Sequence, residues 1–329
     1  MNDCSKSTWF ACSRTIGLLL LTLLTMQLLF AQTSVAQAQA ASTKQLKHEF
    51  AEKVAALETQ HGGRLGVAVM SLQGHVLLSA RENERFAMCS TFKALLGAAI
   101  LARVDAQRES LGRVISYQES DLLDYAPITK DNLQSGGMTI AALNEASIQY
   151  SDNTAANLLL DAIGGPRALT EFLRGVGDQT TRLDRNEPSL NSNVAGDERD
   201  TSSPAAMAST LQKLLTGNAL SMTSKEQLKA WMFGNTTGDT RIKAGLDKNW
   251  LIGDKTGTGP NGATNDVAIV YPRGLPPFTM AVFYTGSSAS SELKNSVIAD
   301  VARIAAEVLV KYRSELKLTK LDTSLRRGK

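Results

Sequence analysis

Towards its C-terminal end the chain reads Asn265-Asp266-Val267-Ala268-Ile269-Val270-Tyr271, then a Pro/Gly-rich connection from Pro272 to Pro277, then Phe278-Thr279-Met280-Ala281-Val282-Phe283-Tyr284-Thr285. Two β-branched and aromatic runs about a turn-forming connection predict a hairpin, and Trp250 to Thr258 predicts a further strand ahead of it. A second pair of such runs lies near the other end, where Arg64 to Ser71 and His75 to Ser79 flank a Gln73-Gly74 turn. Between the two strand groups the periodicity is helical: Thr91 to Leu101, Thr139 to Tyr150, Ala155 to Ile163, Pro166 to Gly175, Pro204 to Leu215 and Ser224 to Gly234. A helix from Ser42 to Gln60 precedes the first strand and another, Ser290 to Leu316, follows the last. The reading is therefore α+β: an antiparallel sheet built from both chain ends and flanked by helices, with an all-helical lobe inserted. Residues 41–85 and 235–316 form the sheet lobe, residues 86–234 the helical lobe, and 317–329 a basic tail, with substrate expected in the cleft between lobes.

Composition narrows the chemistry. The chain has 329 residues with 35 Lys+Arg against 32 Asp+Glu, a formal charge of +3, too small and too dispersed to argue for nucleic acid. The histidines are His48, His61 and His75, and no Cys-x-x-Cys occurs, so a zinc cage is excluded and no metal or cofactor is expected. All three histidines precede residue 76 and none adjoins a nucleophile motif. Any serine chemistry here must use another base.

Residues 1–40 read as a cleaved leader. Lys6 and Arg14 precede the apolar run Ile16 to Phe30, and Ser34-Val35-Ala36-Gln37-Ala38-Gln39-Ala40 offers Ala-x-Ala cleavage after Ala38 or Ala40. Fifteen apolar residues are fewer than the roughly 20 a spanning helix needs. A periplasmic protein free of the membrane follows, with Cys89 as its one remaining cysteine after Cys4 and Cys12 leave. It is expected to act as a monomer with no disulfide.

Three short motifs carry the chemistry. In Cys89-Ser90-Thr91-Phe92-Lys93, the residues beyond Lys93 are apolar on every side, so the helix must be buried all round. A lysine in its first turn then needs a task or a partner. Ser90 and Lys93 share a face, so the amine can hydrogen-bond the hydroxyl; burial lowers the lysine pKa, and the Ser90 N–H can face a developing oxyanion. The same Ser-x-x-Lys spacing at Ser291/Lys294 and Ser314/Lys317 lies among charged residues and reads as solvated surface. Tyr150-Ser151-Asp152-Asn153 falls in the break between two helices, and Lys255-Thr256-Gly257-Thr258-Gly259 ends a predicted strand. Read singly these are a helix cap and a turn; together and in this order they are specific.

With these motifs the chain resembles the class A serine β-lactamases over essentially its whole length beyond the leader. The acidic stretch Arg182-Leu183-Asp184-Arg185-Asn186-Glu187-Pro188-Ser189-Leu190-Asn191, continuing to Asp200, looks like that family's Ω loop, residues 182–200. The resemblance implies a β-lactamase/transpeptidase-like fold and small-molecule β-lactam substrates. It gives Ser90 as nucleophile, with Lys93 in hydrogen-bond contact as proton acceptor or relay. Ser151 would protonate the departing lactam nitrogen and Asn153 would bond the substrate's side-chain amide. Lys255, with Thr256, Gly257 and Thr258, would hold the substrate carboxylate, and the N–H groups of Ser90 and Thr258 would form the oxyanion hole. Glu187 and Asn191 would hold the hydrolytic water; the base for acylation is left open between Glu187 and Lys93. Tyr125 resembles the aromatic wall of the cleft, and Arg185 with Asp200 the salt bridge that ties the loop.

The chain also departs from the family pattern. Thr264 stands where many members carry an arginine, and Arg241 is placed to supply that charge. Gly259 holds the position of the second cysteine in the carbapenem-hydrolysing subgroup, so the chain instead looks like the broad-spectrum, oxyimino-cephalosporin-accepting members. A cell-wall DD-peptidase and a β-lactam-sensing domain share parts of the site, but the Glu187-Pro188-Ser189-Leu190-Asn191 segment argues against both.

Overall fold

The computed structural model describes residue 37 and residues 40–327, so nearly all of the expected leader lies outside the described residues. In chain order the elements are α1 (residues 40–61), β1 (Arg64–Ser71), β2 (Val76–Ala80), β3 (Phe86–Ala87), α2 (Phe92–Asp105), β4 (Val114–Ile115), α3 (Pro127–Asp131), β5 (Met138–Thr139), α4 (Ile140–Gln149), α5 (Asn153–Ile163) and α6 (Pro166–Val176). They continue with β6 (Thr201–Ser202), α7 (Pro204–Thr216), α8 (Met222–Phe233), α9 (Ile242–Gly245), β7 (Leu251–Thr258), β8 (Thr264–Tyr271), β9 (Phe278–Thr285) and α10 (Ser291–Arg327). Residues Glu49–Val310 cluster as one unit, and the outer ends of α1 and α10 belong to a second.

The five-stranded sheet runs β2-β1-β9-β8-β7, antiparallel throughout. Its central pairing, Arg64 with Thr285 through Ser71 with Phe278, joins the two chain ends as the sequence reading requires. The expected hairpins form: Gly74, with φ of 85°, turns β1 into β2 and donates its N–H to Ser71 O at 2.9 Å. β1, β8 and β9 are buried along nearly their whole length, which is why they read as continuous apolar runs instead of alternating ones. α7 packs on β1 and β9.

The middle of the chain is helical apart from the two-stranded pairs β3-β6 and β4-β5, which are too short to leave a periodic signal. α2 is buried from Phe92 to Leu101, as its all-round apolar sequence requires. It begins one residue later than expected, because Cys89–Thr91 forms a separate 3₁₀ turn. α10 continues through residues 317–327, which the sequence reading left as a tail. Among the described residues no helix is long and apolar enough to cross a membrane.

Candidate active site

The nucleophile turn is set by backbone contacts. Cys89 has φ of 46°, and the Thr91 hydroxyl donates to Met88 O at 2.8 Å, closing the turn that presents Ser90 at the head of α2. Edge strand β7 runs directly against it: a Cβ on Gly257 would lie 2.6 Å from Met88 O, so only glycine lets the strand come this close. That explains the glycine of Lys255-Thr256-Gly257 by geometry.

Lys93 and Glu187 have fully buried side chains 3.1 Å apart. The lysine Nζ also donates to Ser151 O at 2.8 Å, to Asn153 Oδ1 at 2.6 Å and, at 3.4 Å, to Ser151 Oγ. Burial pulls Lys93 below the ordinary lysine range, opposed by the Glu187 carboxylate. The expected Lys93–Ser90 hydrogen bond is not formed. Ser90 Oγ instead donates to Glu187 Oε1 at 3.3 Å, the same oxygen that receives Lys93, because the amine's donors are already committed to Glu187, Ser151 and Asn153.

Glu187 is held from two further sides. Its other oxygen accepts from Asn191 Nδ2, while Asn191 Oδ1 is buried without a protein partner. Asn157, one turn along α5 from Asn153, clamps the Glu187 backbone through both amide atoms at 2.9 Å, accepting from its N–H and donating to its carbonyl. The Ω loop that carries Glu187 is closed by Asp200, which is fully buried; Oδ1 accepts the N–H groups of Asp184 at 2.7 Å and Arg185 at 2.9 Å, and Oδ2 pairs with the Arg185 guanidinium.

Ser151 occupies the break between α4 and α5 with φ of 59°, a conformation a serine adopts only when its surroundings impose it. The imposing contacts come from Asp152, which is buried and caps α5 through Ala155 N while also accepting Ile128 N, Thr129 N and the Thr129 hydroxyl. Ser151 Oγ thereby meets Lys255 Nζ at 3.1 Å. Burial, and then the neighbouring Lys93 charge, push Lys255 down to about 7.

At the end of β7, Arg241 donates from Nη2 to Thr258 Oγ1 at 2.7 Å and from Nη1 to the carbonyls of Gly257 and Asn265 at 3.0 and 2.6 Å. Thr256 and Thr237 hydroxyls lie 2.6 Å apart beside it. These groups open onto a cleft of about 390 Å³ lined by Ser90, Tyr125, Ser151, Asn153, Asn191, Arg241, Thr256, Gly257 and Thr258, all expected from sequence, and by Thr237, which was not. Lys93, Glu187 and Lys255 stand buried behind that lining. The helix cap that the Ser151-Asp152-Asn153 segment offers when read singly is Asp152, but sequence reading passed over Asn157, although the four-residue step from Asn153 puts Asn157 on the same face of α5. No spacing rule would have found Thr237. Among the described residues no group of acidic, His and Cys side chains is gathered to hold a metal.

A buried lysine and carboxylate behind a serine at a helix head, with a second serine–lysine pair across the cleft, define a serine acyl-transfer hydrolase. Residues 49–309 match the model of the β-lactamase enzyme family. The chain is 45% identical over 256 residues to β-lactamase CTX-M-8 of Citrobacter amalonaticus, covering 78% of this chain and 88% of that one. It is 44% identical over 258 residues to β-lactamase OXY-2 of Klebsiella oxytoca, covering 78% and 89%. Among solved structures, an ancestral class A β-lactamase superposes with a TM-score of 0.76 at 53% identity over 78% of this chain and 99% of that chain. The putative class A β-lactamase PenP from Rhodopseudomonas palustris does so with 0.77 at 49% identity over 79% and 99%. The chain belongs to the β-lactamase enzyme family and is a class A serine β-lactamase.

Proposed function

We propose that the enzyme opens penicillins and oxyimino-cephalosporins through an acyl-enzyme at Ser90 in which Glu187 serves both half-reactions. The observation that carries this reading is the single Glu187 oxygen shared by Ser90 Oγ and Lys93 Nζ. Lys93 acts as a cation there, since Glu187, Ser151 and Asn153 take its three donors, and a donor-saturated ammonium cannot accept the serine proton. Glu187 accepts it, and Ser90 Oγ attacks the lactam carbonyl. The N–H groups of Ser90 and Thr258 receive the oxyanion, and Ser151 gives its hydroxyl proton to the leaving nitrogen. Lys93, in contact with both Ser151 and Glu187, passes a proton to Ser151 and takes the one held by Glu187, which restores the carboxylate. Water then enters between Glu187 and the unpartnered Asn191 Oδ1; Glu187 takes its proton and the ester is cleaved.

Lys255 supplies the charge for the substrate carboxylate, and Arg241 acts with it through Thr258. Because Arg241 donates to the Thr258 oxygen, the Thr258 hydroxyl proton is left to face the ligand. Asn153 reaches the side-chain amide and Tyr125 walls the cleft. Residues 1–40 direct export to the periplasm, where the enzyme works as a monomer. Counting products per enzyme on a chromogenic cephalosporin tests the whole reading: many turnovers are expected, and one product or fewer would reassign the chain to a sensor or peptidase.

A further inference from the structure

Beyond Asn191 the Ω loop loses its packing. No residue between Leu190 and Asp200 is buried, and Val194 is more than half exposed. Under this stretch lies a second cavity of about 690 Å³, larger than the active-site cleft, with Asn193 and Asn261 in its wall. Space beneath a loop means that burial cannot hold it. Hydrogen bonds do. Asn193 Nδ2 donates to Pro260 O at 3.0 Å, to Asn261 O at 3.2 Å and to Thr285 Oγ1 at 2.8 Å. Asn261 Nδ2 returns the contact to the carbonyls of Ser192 at 3.2 Å and Asn193 at 3.1 Å. Both asparagines are left-handed, with φ of 45° and 54°, a conformation in which asparagine is among the best-tolerated side chains after glycine. The remaining ties either join the loop to itself, as Arg185 does to Ser192 Oγ at 3.0 Å and to Asp197 at 3.7 Å, or lie far from Asn191 near the Asp200 end, as the 3.8 Å pair of Arg85 with Glu198 does.

We propose that this Asn193–Asn261 clasp, closed on Thr285, is a positioning device for deacylation: it fixes the Asn191 end of the Glu187–Asn191 segment to the β7–β8 turn. The inference rests on the assignment of Glu187 and Asn191 to the hydrolytic water. Asn157 secures the Glu187 end of the segment from α5, and the clasp secures the other, two residues past Asn191. In deacylation the water oxygen bonds to the acyl carbon, its proton passes to Glu187, the carbon–Oγ bond breaks and Ser90 Oγ regains a proton. That water must be held by Glu187 and Asn191 together, so a small drift of Asn191 slows the step. Acylation is less exposed to the drift, because Ser90, Lys93, Ser151 and Lys255 sit on the turn before α2, on α2, in the α4–α5 break and on β7, and Glu187 itself is held by Asn157.

The test compares Asn193→Ala, Asn261→Ala and Thr285→Val with the parent enzyme on benzylpenicillin. Rapid mixing gives the acyl-enzyme decay rate, steady state gives kcat/KM, and mass spectrometry gives the acylated fraction. Asn193→Ala, losing three bonds, should slow acyl-enzyme decay about tenfold with kcat/KM held within about twofold. Thr285→Val, losing the bond from Asn193 and a long 3.5 Å bond to Asn261 O, should move decay in the same direction by less, and it decides the matter should the asparagine variants fail to fold. Unchanged decay, or decay and kcat/KM falling together, overturns the proposal. Glu187→Ala run in parallel separates the two readings: if it accumulates no acyl-enzyme, the role of Glu187 fails, whereas an adduct there with normal decay in the clasp variants sinks the clasp alone.

Discussion

Glu187 acts on Lys93 as well as on Ser90, and this makes its removal informative. The carboxylate is the main group opposing the burial that pulls Lys93 down, so Glu187→Ala leaves burial opposed only by the lesser effects of Asp152 and Cys89 and frees one donor position. The amine then loses its proton more readily and can take over as base towards Ser90. Acylation should persist while deacylation, which has no substitute base beside Asn191, slows by about 10²- to 10⁴-fold. Mass spectrometry after mixing with a penicillin should show one added substrate mass, absent in Ser90→Ala; hydrolysis at the parent rate with no adduct would refute the assignment. Lys255 supports a pH prediction. With its pKa pushed down to about 7, it is charged below that value and neutral above it, so carboxylate binding should weaken as pH rises. An alkaline limb in kcat/KM is expected, and Lys255→Arg, which stays charged, should move that limb upward. A limb that does not move belongs to another group.

At the scale of elements, the site depends on how helix and strand ends are tied. Asp152 serves two helices at once, capping α5 and receiving the first N–H groups of α3. Asp152→Ala removes a cap and strands the Ile128 and Thr129 donors, so stability should fall by about 2 kcal/mol or more. The strained Ser151 beside it should relax, lowering kcat as well; thermal melts and steady-state rates report the two effects. Arg241, immediately before α9, binds the ends of β7 and β8 and Asn295 on α10. Loss of a partly desolvated guanidinium of about 1.5 to 3 kcal/mol should reduce kcat/KM by one to two orders of magnitude in Arg241→Ala. Arg241→Lys should recover only part of this, since one ammonium cannot reach Gly257, Thr258 and Asn265 in a fork. Wild-type kinetics in Arg241→Ala would leave Lys255 as the sufficient charge.

Across the whole molecule, the sheet closes only when β1 meets β9, more than 200 residues later, so the middle of the chain cannot dock on a finished sheet until its ends have paired. A chain of this size needs no covalent staple to hold that closure. Cys89 is a free, buried thiol, pushed up to about 12 by burial first and then by the Glu187 charge. It should resist a thiol reagent in the native protein and, with the proposed leader removed, give one thiol per chain on unfolding; fast native labelling would contradict its burial. The proposed export predicts that protein recovered from the periplasm has an intact mass placing its N-terminus near Ala41, and a species retaining Met1 would rule out cleavage.

Local pattern determined a good deal. Apolar runs broken by Gln73-Gly74 and by Pro272 to Pro277 specified the strands, because strand formation and turn chemistry are written within a few residues. Ser90, Lys93, Ser151, Glu187 and Lys255 were legible because each stands in a short motif at a helix head, a helix break or a strand end. What sequence could not resolve is which partner each group chooses once several compete for it. Lys93 turns to Glu187, Ser151 and Asn153 and leaves Ser90 to Glu187, since an ammonium has three donors and the fold surrounds it with acceptors. Asp200, expected only as the partner of Arg185, is fully buried and also accepts the N–H groups of Asp184 and Arg185. Asn157, Thr237, Asn193 and Asn261 bear no motif at all; they matter because the tertiary fold brings α5, the segment before α9 and the β7–β8 turn against the loop that carries Glu187, and hydrogen bonds depend on distances that no residue spacing encodes.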